Sequence, residues 1–167
     1  CSTAQAEDFP PELTIFAASK ANPVFTARGE GHWDTKIRER GWILFDPKAK
    51  DQPAWRMWFT GYDGTREGTK HLGYATSKDG LTWKRNPRPI YSEHWVEDMM
   101  IVTHDGSFLM LDEEEGEQVE LVTSQKDIKW RHVGALDVGK KNGDRIEPGP
   151  YGTPTGYYED GTWYLFY

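Results

Sequence analysis

The sequence predicts an all-β fold assembled from a repeated unit of four short antiparallel strands. Three observations carry this expectation. First, the 167 residues hold 8 Trp, 8 Tyr and 7 Phe together with 17 Gly and 10 Pro, a mixture that suits short aromatic strands joined by tight turns. Second, no stretch of ten or more residues shows the periodicity of an amphipathic helix. Third, the chain repeats itself. Thr76-Ser77, followed seven residues later by Trp83, recurs 47 residues on as Thr123-Ser124 and Trp130. His104-Asp105-Gly106-Ser107-Phe108-Leu109-Met110-Leu111 is echoed 55 residues on by Glu159-Asp160-Gly161-Thr162-Trp163-Tyr164-Leu165-Phe166. Both spacings are those of β-propeller blades.

Residues 1–30 are polar, contain Pro10-Pro11 and show no sustained period, and read as a tether and lead-in; residues 31–167 read as the propeller part. Trp42-Ile43-Leu44-Phe45 has the apolar run of a buried strand, closed by an Asp46-Pro47 turn and a charged loop through Pro53. Trp55 to Thr60 is a second strand, Gly61-Tyr62-Asp63-Gly64 a turn, His71 to Ser77 a third strand, and Leu81 to Arg85 a fourth after Lys78-Asp79-Gly80. Blade one thus spans about 40–92 and blade two about 98–138. Blade three begins near 152, and the chain stops after its second strand. Propellers close with four or more blades, and an open stack exposes sheet edges. The expectation is the front half of a longer protein, about two and a half blades, or a chain completed by oligomerisation.

Charge narrows the function. With 27 acidic and 20 basic residues the net charge is -7, which disfavours a nucleic-acid partner and adsorption to an anionic membrane surface. No apolar run reaches the roughly 20 residues of a membrane span. The only cysteine is Cys1, so no intramolecular disulfide forms. Cys1-Ser2-Thr3-Ala4-Gln5-Ala6-Glu7-Asp8 is similar to the start of a mature bacterial lipoprotein whose signal peptide has been removed. That implies an extracytoplasmic protein, in the periplasm or at the cell surface, touching the membrane only through lipid on Cys1. The plainer reading is a chain boundary that falls on a cysteine.

Trp58-Phe59-Thr60-Gly61-Tyr62-Asp63-Gly64, followed by Leu72-Gly73-Tyr74-Ala75-Thr76-Ser77-Lys78-Asp79-Gly80-Leu81-Thr82-Trp83, resembles the five-bladed β-propeller glycoside hydrolases. That group joins the arabinanases, β-xylosidases and invertase-like enzymes. The resemblance covers about residues 30–167 and implies an active-site funnel at one end of the propeller axis. Acids enter it from the innermost strands of the first three blades: a base or nucleophile, a supporting carboxylate and a general acid. Glycoside hydrolysis needs such a set because one carboxyl protonates the leaving oxygen while another attacks or activates water.

Laying the blades over one another gives the candidates. Glu97 and Asp98 open the apolar run Met99-Met100-Ile101-Val102 and hold the blade-two position, Asp98 being the strongest candidate. In blade one, Glu39 and Arg40 align with Glu97 and Asp98, and Asp34 lies just before them; either Glu39 or Asp34 could be the base or nucleophile. Arg38 and Arg40 would hold a carboxylate ionised or bind a sugar hydroxyl or acid group; the bland alternative is a surface salt-bridge cluster. In blade three the aligned position falls at Gly152 or Thr153, where no carboxylate stands. Glu147, in Ile146-Glu147-Pro148-Gly149-Pro150, echoes the setting of the usual acid but is displaced. His32, Trp33, His94, Trp95 and Tyr151 sit at the same strand mouths as candidate sugar contacts.

The histidines lack zinc spacing, and there is neither a phosphate loop nor a nucleophile elbow, so no metal or cofactor is expected. The acid run Asp112-Glu113-Glu114-Glu115-Gly116-Glu117 reads as a solvated hairpin loop. The resulting expectation is a glycosidase acting on oligo- or polysaccharide, by resemblance a plant or algal fragment. Its rivals are a noncatalytic carbohydrate-binding propeller displayed on the cell surface and an interaction scaffold.

Overall fold

The computed structural model describes residues 15–49, 53–114, 118–136, 138–144 and 153–166. Cys1, Glu147 and Tyr151 lie outside these, as does the side chain of Glu39. The described residues form ten strands and no helix: β1 (Lys36–Phe45), β2 (Trp55–Tyr62), β3 (His71–Ser77), β4 (Trp83–Arg85), β5 (Glu97–His104), β6 (Ser107–Glu113), β7 (Val119–Ser124), β8 (Trp130–Ala135), β9 (Thr155–Glu159) and β10 (Thr162–Phe166). They pair antiparallel and in sequence order into two four-stranded sheets, β1-β2-β3-β4 and β5-β6-β7-β8, and one two-stranded sheet, β9-β10. No helix among the described residues is long and apolar enough to cross a membrane.

Local chemistry explains the repeats seen in the sequence. Ser77 ends β3 and its hydroxyl accepts from the Asp79 and Gly80 amides. Trp83 Nε1 then donates to the Gly80 carbonyl at 3.1 Å. In the second sheet, Ser124 ends β7 and accepts from the Lys126 amide, and Trp130 Nε1 donates to the Asp127 carbonyl at 3.0 Å. Each Thr-Ser…Trp phrase is thus one turn that seats the outer strand. The Asp-Gly pairs are the turns of β5-β6 and β9-β10. Asp105 and Gly106 have φ of 47° and 74°, Asp160 and Gly161 of 47° and 80°. Two consecutive left-handed residues are what a tight hairpin requires, and Asp-Gly supplies them at low cost.

The first two sheets stack face to face. Trp58, Leu72 and Tyr74 of the first meet Ile101, Phe108, Met110, Val122 and Trp130 of the second, with Tyr91, Val96 and Met99 in the same core. Each such side chain contributes roughly 1.5–3 kcal/mol on burial. Two of the polar atoms buried with it meet one residue: Trp58 Nε1 donates to the Asp127 carbonyl, and the Tyr74 hydroxyl donates to Asp127 Oδ2 at 2.7 Å. The other face of the first sheet, with Met57, Phe59 and Ala75, is covered by Phe25 and Trp33 from the segment before β1. β2 is therefore buried on both sides, which is why its sequence runs apolar without alternating. On the far face of the second sheet, Met100, Leu111 and Val119 pack with Leu121 and Leu165. The first strands of the three sheets are neighbours, β1 beside β5 and β5 beside β9.

Candidate functional site

Two bulges at corresponding places set the site. In β1 the register passes from Ile37↔Gly61 to Gly41↔Phe59, so Arg38, Glu39 and Arg40 stand opposite Thr60 alone. In β5 it passes from Glu97↔Glu113 to Met100↔Leu111, so Asp98 and Met99 stand opposite Asp112. Bulges re-aim side chains, and these bring the candidates of the two sheets together. Arg40 holds Asp98 with two contacts, Nε–Oδ1 at 2.8 Å and Nη2–Oδ2 at 2.6 Å. Such a fork gives strength and a fixed orientation. Arg38 Nε lies 2.7 Å from Glu97 Oε1. This oxygen is buried and receives no aligned hydrogen bond, so the Arg38 contact acts through charge.

The third sheet joins through Thr153, just before β9. Its amide donates to Glu113 Oε2 at 2.8 Å, and its hydroxyl lies 3.4 Å from Asp98 Oδ2. Asp98 and Thr153 are both left-handed, with φ of 43° and 64°. For a β-branched residue that is a genuine outlier, and such strain persists only where the surroundings over-determine it. Here the two strained residues face each other across the site.

Beside this cluster opens a polar cleft of about 720 Å³, lined by Arg38, Tyr62, Lys70, Trp95, Glu97 and Glu113 among others. Lys70 is only 2% exposed. Its ammonium donates to the carbonyls of Arg66 and Gly68 at 2.7 and 2.8 Å, and lies over the rings of Trp95 at 3.8 Å and Tyr62 at 4.8 Å. The Lys70 carbonyl accepts from the Val96 amide, so one residue ties Trp95 and its backbone to the first sheet.

The structure thus gathers Arg38, Arg40, Trp95, Glu97 and Asp98. It places the other candidates elsewhere. Asp34 is fully buried and its carboxylate is taken by two guanidinium groups, Arg28 Nε at 2.6 Å on Oδ1 and Arg85 on Oδ2. Trp33 stacks on Phe59 and donates from Nε1 to the Pro87 carbonyl. His32 is exposed in the turn before β1. His94 does not line the cleft and is bonded at both ring nitrogens, to Tyr91 and Asp112.

The acid run needs correction. Asp112 and Glu113 are not loop residues: both belong to β6, Asp112 is fully buried and Glu113 lines the cleft. The signal was present in the period-two continuation Phe108, Met110, Asp112, which puts Asp112 on the core face and Glu113 on the other. Burial pushes the Asp112 carboxyl up to about 6, against the lowering effect of its bond to His94. Lys70 also escaped notice, because nothing in its sequence setting marks a buried cation. Among the described residues no group of three or more His, Cys, Asp or Glu could hold a metal ion.

Comparison with known proteins bears on the fold. No family model matches the chain, and no curated protein matches it. Solved structures do. One, described as showing that the GH130 family of mannoside phosphorylases contains glycoside hydrolases targeting β-1,2 mannosidic linkages in Candida mannan, is 20% identical with a TM-score of 0.61, over 75% of this chain and 42% of that one. A glycosyl hydrolase from Bacteroides ovatus is 19% identical with a TM-score of 0.60, again over 75% and 42%. A third, described as a glycoside hydrolase, is 18% identical with a TM-score of 0.60, over 86% and 45%. The fold is therefore the one found in these glycoside hydrolases, and the chain spans less than half the length of each.

Proposed function

We propose that the chain is the front part of a five-bladed propeller glycosidase that hydrolyses glycosidic bonds in an oligo- or polysaccharide. In this reading the two four-stranded sheets are blades one and two, and β9-β10 begins blade three. The observation that carries it is the convergence of Arg38 and Arg40 from β1, Glu97 and Asp98 from β5, and Thr153 before β9 in one cluster, of which Arg38 and Glu97 line the adjoining polar cleft.

The chemistry follows from the surroundings. Glycoside hydrolysis uses one carboxyl as acid and a second as base or nucleophile. Glu97, Asp98 and Glu113 supply carboxyls in three settings. Asp98 is locked in a charged fork by Arg40. Glu97 meets Arg38 with an oxygen that has no aligned donor. Glu113 accepts from a backbone amide. Trp95, braced by the Lys70 ammonium, offers a flat apolar surface for a sugar ring. Asp34 serves the fold, as the centre of a buried Arg28–Asp34–Arg85 bridge.

The test is reducing-sugar release from an oligosaccharide panel that includes β-1,2-mannosides and arabino-oligosaccharides, with Asp98→Asn measured alongside. Release by the parent, lost by at least about a hundredfold in the variant while circular dichroism is unchanged, is the expected result. Sugar binding without release by the parent would replace the hydrolase with a carbohydrate-binding propeller.

A further inference from the structure

A hydrogen-bonded chain that the proposed chemistry does not use runs from Tyr91 through His94 to the buried Asp112. His94 Nδ1 is 2.8 Å from the Tyr91 hydroxyl and Nε2 is 3.0 Å from Asp112 Oδ2. The His94 side chain is 10% exposed and that of Asp112 not at all. The His132 ring lies 4.8 Å from the His94 ring, and its Nε2 is 2.7 Å from Oε2 of the buried Glu120. Two imidazoles and two carboxylates thus lie side by side on the second sheet, with His132 at the exposed edge of the group, its side chain 41% accessible. Asp112 Oδ1 is buried and has no hydrogen-bond partner, an expensive arrangement that hydrophobic packing would avoid.

Its position gives it a use. His94 directly precedes Trp95, and Asp112 directly precedes Glu113; both Trp95 and Glu113 line the cleft. The Val96 amide, next along, is bonded to the Lys70 carbonyl. The short segment from Tyr91 to Asp98 is therefore pinned at His94 on one side and at Val96 on the other. Imidazole bonded at both nitrogens resists rotation, and whichever nitrogen carries the proton is dictated by its neighbours.

We propose that His94, bridged between Tyr91 and Asp112, is a positioning residue that fixes Trp95 and Glu97 at the cleft, and that its protonation resets their placement. The role in substrate binding rests on the reading of the cleft as a carbohydrate site. The groups that face His94 are Tyr91, Asp112 from β6, Glu120 from β7 and His132 from β8, with Glu93 and Glu114 contributing charge nearby. Burial opposes a charge on His94. The hydrogen bond and charge of Asp112, with Glu114 and Glu120, outweigh it and carry the imidazole above its ordinary value.

The experiment is ¹⁹F NMR of the full chain labelled with 5-fluorotryptophan, the Trp95 signal being assigned by its loss in Trp95→Phe. Across about pH 5 to 8 the parent Trp95 signal should move in the coupled steps of the His94–Asp112 pair. In His94→Gln, whose amide can still accept from Tyr91 and donate to Asp112, it should stay sharp and lose the step that belongs to the imidazole. In His94→Ala it should shift and broaden. A second arm measures hydrolysis of the best oligosaccharide of the panel. KM should rise by about tenfold in His94→Ala with kcat little changed, and His94→Gln should restore it. A Trp95 signal that is unaltered in His94→Ala and flat with pH in the parent would overturn the proposal. Should the parent bind no sugar, the glycosidase reading fails, while the fluorine arm still decides the role of His94.

Discussion

Replacing Asp112 by Asn tests the energetics of the buried cluster. The carboxyl goes from its ordinary value of 3.8 to about 6 on folding. A raised carboxyl makes the native state bind the proton more tightly than the unfolded state does. Its stabilising contribution is complete below pH 3.8 and is lost as pH rises through about 6, the slope being negative because the unfolded state has already released its proton. A shift of that size amounts to about 3 kcal/mol at 1.36 kcal/mol per pH unit. In a chain of this length it corresponds to roughly 6–12 °C in Tm. His94, also raised, continues the loss above pH 6.5. His71, lowered by burial, has the opposite slope below 6.5. The assay must therefore compare two proteins: urea unfolding of the parent and of Asp112→Asn from pH 4 to 7, where Asn cannot titrate. The stability difference should move in favour of the variant by about 2 kcal/mol across that range, since part of the contribution is already lost at pH 4. Parallel curves would show that Asp112 is not held protonated by its burial, and the account of the cluster would fail.

Two further substitutions probe the supports of the site. A Cβ on Gly61 would stand 2.3 Å from the Trp33 ring and 2.8 Å from Asp34 Cβ, so Gly61→Ala should destabilise the protein by about 1–3 kcal/mol in urea unfolding; a neutral result would mean that the Trp33–Asp34 segment is not seated there. Lys70→Met keeps the aliphatic stem but removes the ammonium over Trp95, and should weaken oligosaccharide binding by about tenfold in calorimetry, about 1.4 kcal/mol, between the exposed and the desolvated values of a cation–π contact. Unchanged affinity would remove Trp95 from the binding surface.

Most of the sheet architecture was legible because turns announce themselves. Ser77 and Ser124 cap turns with their hydroxyls, and Asp105-Gly106 and Asp160-Gly161 adopt left-handed backbone; these are local requirements, so the residues that meet them recur with the unit. The grouping of Arg38, Arg40, Glu97 and Asp98 was legible by superposing the units. Which acid would meet which base was not, since it depends on two bulges that leave no mark in the alternation of Ile37 to Trp42 or of Glu97 to Ile101. Asp34 illustrates the limit. An acid beside Trp33 and two residues from Lys36 looks like a site residue, and only the arrival of Arg85, from β4, reveals its carboxylate as fully engaged. Asp112 fails in the other direction: heading a run with four further acids, Glu113, Glu114, Glu115 and Glu117, it is indistinguishable from a solvated turn until the strand phase is counted from Phe108.

The paired bulges have a consequence for how such a chain can change. A strand of strict alternation carries one phase from end to end, so altering which residues face a cleft would also alter which residues face the core. The extra residues at Arg38–Arg40 and Asp98–Met99 break that phase. At the bulges Arg38 and Arg40 reach Glu97 and Asp98; downstream, Leu44 and Ile101 answer to the packing between sheets. Each inner strand is in effect two independent registers joined by a slip joint. A residue gained or lost at Arg38–Arg40 would change which charges stand beside Glu97 and Asp98 while Leu44 kept its place against the core.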